Sequence, residues 1–358
     1  MYRILLLLLF VCSSIASNSQ LYLVHADKSI GKLENGEKIR ILSGNVEAYQ
    51  DTLHMLCDEA VFYEDREEIV FVGNVFLEDG HRTLRADRIR YYTPSRTAVC
   101  LGNVRISGAN DSLFAQKFIY NFTKRNAEGE KNLFLWDKQN DARIWGDFGT
   151  YREQNQHMLI KKNARFESYT EGEPDTLVIT AQFMDYFGLK KKTAIARDSV
   201  VIKKGTLSAV CDSALYDMKN ELVHLKVNPV AWQEGSEMRG SLIDLVLDSL
   251  EIQKINISGA AELKSPADSL NQRFNFLRGK TIEVQLTDRK PQKIIARNNA
   301  SSIYVLWDDS VEQGTNSASS DSIIIFFKAG EMDSIAVIGG SEGIFYPPDY
   351  EGEIESDY

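Results

Sequence analysis

The tripeptide Gly-Asn-Val occurs at Gly44-Asn45-Val46, at Gly73-Asn74-Val75 and at Gly102-Asn103-Val104, so both intervals are 29 residues. A fixed period of that size marks one supersecondary unit stacked on copies of itself. It also argues against an enzyme, because chemistry needs one unique constellation rather than a pattern copied along the chain.

A second anchor runs beside the first and reaches further. A small residue recurs at Ala26, Cys57, Ala86, Ala115, Gly146, Ala181, Cys211, Gly240 and Gly279, with gaps of 31, 29, 29, 31, 35, 30, 29 and 39. Each is followed by Asp, Gln, Ser or Lys (Asp27, Asp58, Asp87, Gln116, Asp147, Gln182, Asp212, Ser241, Lys280). From the second copy on, an aromatic or apolar residue stands five positions after the small one (Phe62, Tyr91, Tyr120, Tyr151, Tyr186, Tyr216, Leu245, Val284).

Within a copy the local signal is alternation. Ile69, Phe71, Gly73, Val75 and Leu77 share one parity, the period of a strand with one buried face. In the small-residue segment the apolar parity flips, as a bulge or sharp bend would require. Each copy therefore reads as two strands joined by turns such as Glu78-Asp79-Gly80 and Thr93-Pro94-Ser95. No long stretch spaces its apolar residues by three and four, so the chain reads as all-β, built from two-strand repeats of about 29–31 residues. From about residue 240 the pattern changes: Ile243 to Ile257, Ile282 to Ile295 and Ile324 to Ile338 each read as strand, polar turn, strand. Polar insertions at Lys124–Asp141, Tyr169–Asp175, Ser265–Asn275 and Asp308–Asp321 read as surface loops.

Residues 1–18 read as a cleavable export signal, with Arg3 as basic flank, Ile4 to Val11 as a short apolar core and Ser14-Ile15-Ala16 as the small-residue site. Cys12 sits where a lipidated cysteine would, but Val11 before it fits that pattern poorly. Cys57 and Cys211 occupy the small slot, so the retained cysteines read as small buried hydrophobes rather than metal ligands or disulfide halves. The five histidines are scattered without metal-ligand spacing, and no cofactor is expected. A formal charge of −10 disfavours nucleic acid as a partner. One local run, His81 to Arg90, is basic; it reads either as a solvated strand face or as a rim, Arg82, Arg85, Arg88 and Arg90, that meets phosphates of an anionic lipid.

A strand ending in Gly-Asn-Val, a polar turn and then Leu/Ile-x-Ala-Asp-x-Ile/Val resembles the OstA/LptA-like periplasmic proteins of lipopolysaccharide transport. Val70 to Leu77 followed by Thr83 to Ile89 carries the likeness best, and Tyr22 to Asp27 is similar to the family's first strand. The resemblance is specific over residues 20–120 and degenerate to about 345. It implies an elongated open β-jellyroll of stacked antiparallel strands whose interior holds acyl chains, and whose edges join end to end with partner jellyrolls at the inner and outer membranes or with further copies of the chain. On that reading residues 19–190 form an OstA-like jellyroll, 191–346 continue it as degenerate repeats, and 347–358 are an acidic tail. The groove is then lined by Val24, Val46, Phe71, Val75, Ile89, Tyr91, Val104, Phe118, Tyr120, Met184 and Tyr186. The implied role is a periplasmic, outer-membrane-associated protein that shields lipopolysaccharide or a related glycolipid in transit.

Periodicity alone favours a dry core between two sheets, and it is the resemblance that favours a lipid-holding interior. About ten strands per sheet at about 4.8 Å would give an interior on the order of 45 Å long. Each methylene buried there contributes about 0.8 kcal/mol, so a chain of a dozen carbons is held firmly. A secreted structural or adhesive β-solenoid without lipid is the alternative, and a polysaccharide-acting β-helix enzyme is a weaker one.

Overall fold

The computed structural model describes residues 22–50, 52–139, 141–169, 175–188, 192–248, 251–268, 273–308, 311–328, 331–352 and 354. The export signal and Cys12 lie outside these residues. The chain divides into two compact units, residues 1–191 and 192–358.

Among its described residues the first unit holds twelve strands. They are β1 Tyr22–His25, β2 Lys28–Glu34, β3 Glu37–Gln50, β4 Leu53–Tyr63, β5 Glu68–Glu78, β6 Thr83–Tyr92, β7 Thr97–Ser107, β8 Asp111–Asn121, β9 Asn126–Asp137, β10 Ala142–Arg152, β11 His157–Ser168 and β12 Leu177–Phe187. A single 3₁₀ turn at Glu153–Asn155 is the only helical element among the described residues. The all-β expectation holds. Consecutive strands pair antiparallel from β3 to β12, and β1 and β2 both lie against β3 as two halves of one edge.

Every one of these long pairings slips register once, at Gly-Asn or its Lys-Asn counterpart on one strand and at the small residue and its Asp or Gln follower on the other. Val72 pairs with Arg88 and Val75 with Ala86, so Gly73 and Asn74 together face the single Asp87. The extra residue is accommodated by two consecutive left-handed conformations, φ +76° at Gly73 and +46° at Asn74. Glycine tolerates that region freely and asparagine better than most. The glycine answers a second demand as well. A Cβ on Gly73 would sit 2.2 Å from Asp58 Oδ2, and one on Gly44 or Gly102 would meet Asp27 or Asp87 at 2.1 Å.

The register slip is also a corner. Leu84 and Ala86 before it and Ile89 after it bury in the same apolar cluster, as do Val104 and Ile106 with Cys100, and Leu113 and Ala115 with Phe118. Both halves of each strand therefore face one interior, which a straight strand cannot do. The parity flip at the small slot is this change of wing. One wing contains the segments ending in Leu84-Arg85-Ala86, and the other the segments beginning with Ile89. This is an open β-jellyroll.

The expected loop at Lys124–Asp141 is instead mostly strand β9, with a corner at Lys131 (φ +60°) and Asn132 (φ +54°). Its place, 29 residues after Gly102-Asn103, continues the period. Lysine stands where glycine did, so the motif hides the repeat that the spacing keeps.

The second unit has β13 Thr193–Lys204, β14 Leu207–Asp217, β15 Leu222–Lys226, β16 Val230–Gln233, β17 Ser236–Arg239, β18 Leu242–Asp248, β19 Glu251–Pro266, β20 Phe274–Thr287, β21 Lys290–Asp308, β22 Val311–Lys328, β23 Glu331–Ile338 and β24 Glu342–Tyr346. The corners persist as left-handed pairs at Asp198-Ser199, Val227-Asn228, Gly259-Ala260, Asn298-Asn299 and Gly339-Gly340. Most of the Asp308–Asp321 stretch, expected as a loop, is strand β22 from Val311 on and pairs with β21: Ser302 with Ala318 and Tyr304 with Asn316. Its run of Ser, Thr and Asn reads as turn chemistry locally, and cross-strand pairing overrides it. Every described pairing in both units is antiparallel, which is incompatible with the parallel coils of a β-solenoid.

Candidate functional site

The interior of the first unit is the candidate site. Of the eleven residues expected to line it, Val46, Phe71, Val75, Ile89, Val104, Phe118 and Tyr120 are buried in one cluster, and Met184 and Tyr186 pack against it half-buried. Tyr91 is half-buried and meets Phe122 edge-on, with centroids 6.1 Å apart. Val24 is the exception, 58% exposed on β1. It belongs to an edge strand that pairs only with β3 among the described residues, so nothing closes over it.

Cross-strand register orders these residues into rows. Phe71, Ile89, Cys100 and Phe118 are consecutive partners on β5 to β8, and the row continues through Gly129, Gly149 and Ile160 to Met184. The neighbouring row carries Tyr91, Ala98, Tyr120, Ala127, Tyr151, Met158 and Tyr186. Tyrosines thus recur on every second strand from β6 to β12. Burial pushes the Tyr151 hydroxyl up to about 12 and raises Tyr186 as well, so both stay neutral.

The interior is filled by its own side chains. Leu133, from the opposite wing, reaches into the notch left by Gly129 and Gly149, where a Cβ would approach its methyls to 2.8 and 2.4 Å. Leu133, Ile160, Phe118 and Tyr151 border a remaining void of ≈ 20 Å³, about the space of one water.

The cysteines are small core residues, as expected. Cys57, Cys100 and Cys211 are buried and free, and burial raises their thiols to about 11, 12 and 11. Among the described residues no group of three or more His, Cys, Asp or Glu side chains is placed to hold a metal ion.

The four-arginine rim does not form as one surface. The corner at Asp87 falls inside the run, so Arg85 and Arg88 lie on different wings. Arg82 is paired with Asp111 at 2.5 Å, and Arg90 with Glu68 at 2.9 Å. Arg85 instead joins a row on the outer face that the run did not reveal: Phe76, Arg85, Arg105, Phe114, Phe134, Trp145 and Arg165 are successive partners across β5 to β11. Its signal was available in the columns on either side of the two anchors, one before the small residue and one after the Val of Gly-Asn-Val.

Residues 18–171 match the family described as OstA-like protein. The N-terminal unit is an OstA-like domain. Over 136 residues the chain is 25% identical to the LPS-assembly protein LptD of Nitrosomonas europaea, a stretch covering 38% of this chain and 18% of that protein. The chain thus spans less than a fifth of the length of this curated relative. A solved structure, that of LptH, the LptA-homologous periplasmic component of the lipopolysaccharide transport device of Pseudomonas aeruginosa, aligns with 39% of this chain and 95% of its own at 14% identity and a TM-score of 0.31. All three Gly-Asn-Val corners, and the β9 corner where lysine replaces glycine, lie inside the matched residues.

Proposed function

We propose that this protein is a periplasmic, non-enzymatic lipid-binding component of lipopolysaccharide transport, in which the two wings of the OstA-like domain shield acyl chains on the way to the outer membrane. The observation that carries this reading is the shared interior: each strand of β3 to β12 turns at a corner so that both its halves present apolar side chains inward. Acyl chains exchange for Leu133, Ile160 and their neighbours in that interior as the wings part. Such contacts are non-directional, so lipid held this way is free to slide.

Partners in a transport bridge would meet the strand edges. β1 and β2 pair with β3 alone among the described residues, and Tyr22, Leu23, Val24 and Leu33 are exposed there. In the second unit β23 and β24 pair with β22 alone among the described residues, and Ile338, Ile344 and Phe345 are exposed. Apolar side chains beside unpaired backbone are the makings of strand addition.

Mass spectrometry of lipid extracted from the protein isolated from periplasm tests the reading. A stoichiometric lipid A-bearing species is expected. Protein that carries no lipid, and takes up none from lipopolysaccharide micelles, would overturn it.

A further inference from the structure

On the outer face of the first unit, Arg85 and Arg105 are direct cross-strand partners. Like charges placed opposite one another destabilise a sheet, and neither guanidinium has a carboxylate among the described residues. Each lies instead over an aromatic ring, Arg85 over Phe76 at 4.6 Å and Arg105 over Phe114 at 4.5 Å. Stacking of this kind holds a guanidinium flat while leaving its N–H groups to other acceptors. The chain as a whole carries −10, so two unpaired cations side by side are a local exception.

A second feature coincides with them. A concavity of ≈ 540 Å³ is lined by Arg85, Arg105, Phe114, Gln116 and Asn132, with Asp87, whose carboxylate accepts from Asn103, also on its wall. At the neighbouring corners the asparagine amide is engaged by an aspartate sixteen residues earlier, Asn74 by Asp58 and Asn103 by Asp87, both at 3.0 Å. At this corner the sixteenth residue before Asn132 is Gln116. The repeat breaks here: the carboxylate is replaced by an amide, and both amides are exposed.

We propose that this concavity is a binding site for a phosphorylated sugar. Arg85 and Arg105 take the phosphate, and Gln116 and Asn132 the hydroxyls, while the rings of Phe76 and Phe114 hold the two guanidiniums in place. Two guanidiniums provide paired donors for phosphate oxygens. Amides both donate and accept, as hydroxyls require. The site lies outside the interior and does not depend on acyl-chain binding.

The test uses the full chain and glucose 6-phosphate, which has no acyl chain, observed by saturation-transfer difference NMR. Saturable transfer to glucose 6-phosphate is expected, with glucose binding at least tenfold more weakly. Arg105→Gln and Arg85→Gln should each weaken binding at least tenfold, while Arg88→Gln, an equal loss of charge on the other wing, leaves it unchanged. Matched thermal unfolding midpoints check that the variants fold. No saturable signal, an equal loss in Arg88→Gln, or complete displacement by an equal concentration of inorganic phosphate would each overturn the proposal. Co-purified lipid in the Arg105→Gln protein reports separately on the interior, so the two readings fail independently.

Discussion

The side-chain amide of Asn74 donates to Asp58 Oδ2 at 3.0 Å across the corner of the jellyroll, and the same bond recurs from Asn45 to Asp27, Asn103 to Asp87 and Asn163 to Asp147. The repeat signature is therefore a joint. Asparagine closes it, aspartate receives the bond, and at the three Gly-Asn-Val corners glycine leaves room for the carboxylate.

Gly73→Ala tests that joint. The new Cβ would overlap Asp58, and φ of +76° is strained for any residue with a side chain. A cost of about 1–3 kcal/mol is expected, lowering the unfolding midpoint by several degrees. In an Asp58→Ala background the steric part should vanish and the backbone part remain, so the double-mutant cycle should show clear coupling in thermal melts. Strictly additive effects would contradict the geometry.

Leu133→Ala separates stability from lipid capacity. Leu133 fills the Gly129–Gly149 notch and is buried. Its truncation should cost about 2–5 kcal/mol in denaturant unfolding. If acyl chains pass between the wings, the variant should also take up lipid from micelles faster than the wild type. Slower uptake in a folded variant would count against the interior as the path.

Photo-crosslinking at Tyr91, Tyr120 and Tyr186, where an aromatic reagent replaces an aromatic side chain, should capture glycolipid in cells. Arg88 and Lys117, which face outward from the same strands, should not. Equal capture from both faces would dismiss the groove.

The strand edges predict association. Val24→Lys combined with Leu33→Lys alters two exposed residues and should leave the fold intact. Edge lysines oppose strand addition, so end-to-end complexes seen by sedimentation velocity at high protein concentration should weaken at least tenfold. Unchanged complexes would place the joint elsewhere.

Alkaline pH should destabilise the protein through its buried thiols. Burial raises Cys100 from 9.0 to about 12 and Cys57 to about 11, so the folded state favours the protonated form. That contribution is fully present below pH 9 and is lost as pH rises toward 11–12. Cys100→Ala should flatten the decline of the unfolding midpoint over this range.

The sequence by itself determined the repeat, the all-β character and most of the interior. Period and alternation are local properties, and a residue's parity fixes its face before any partner is known. Val75, Ile89 and Phe118 were legible on that ground. Three things were decided only by tertiary structure. Val24 shares the sequence parity of Ala26, but on the edge strand the register against β3 slips between Leu23 and His25, and Val24 at that slip stays exposed. Lys131-Asn132 lost the motif yet kept the corner, because cross-strand register imposes the left-handed pair on whatever residues stand there. Arg85 and Arg88, three apart in one basic run, were sent to different wings by the corner at Asp87, and Arg85 was set against Arg105, twenty residues away. Charge proximity in sequence is one-dimensional, whereas a sheet that turns at every strand brings together residues by register.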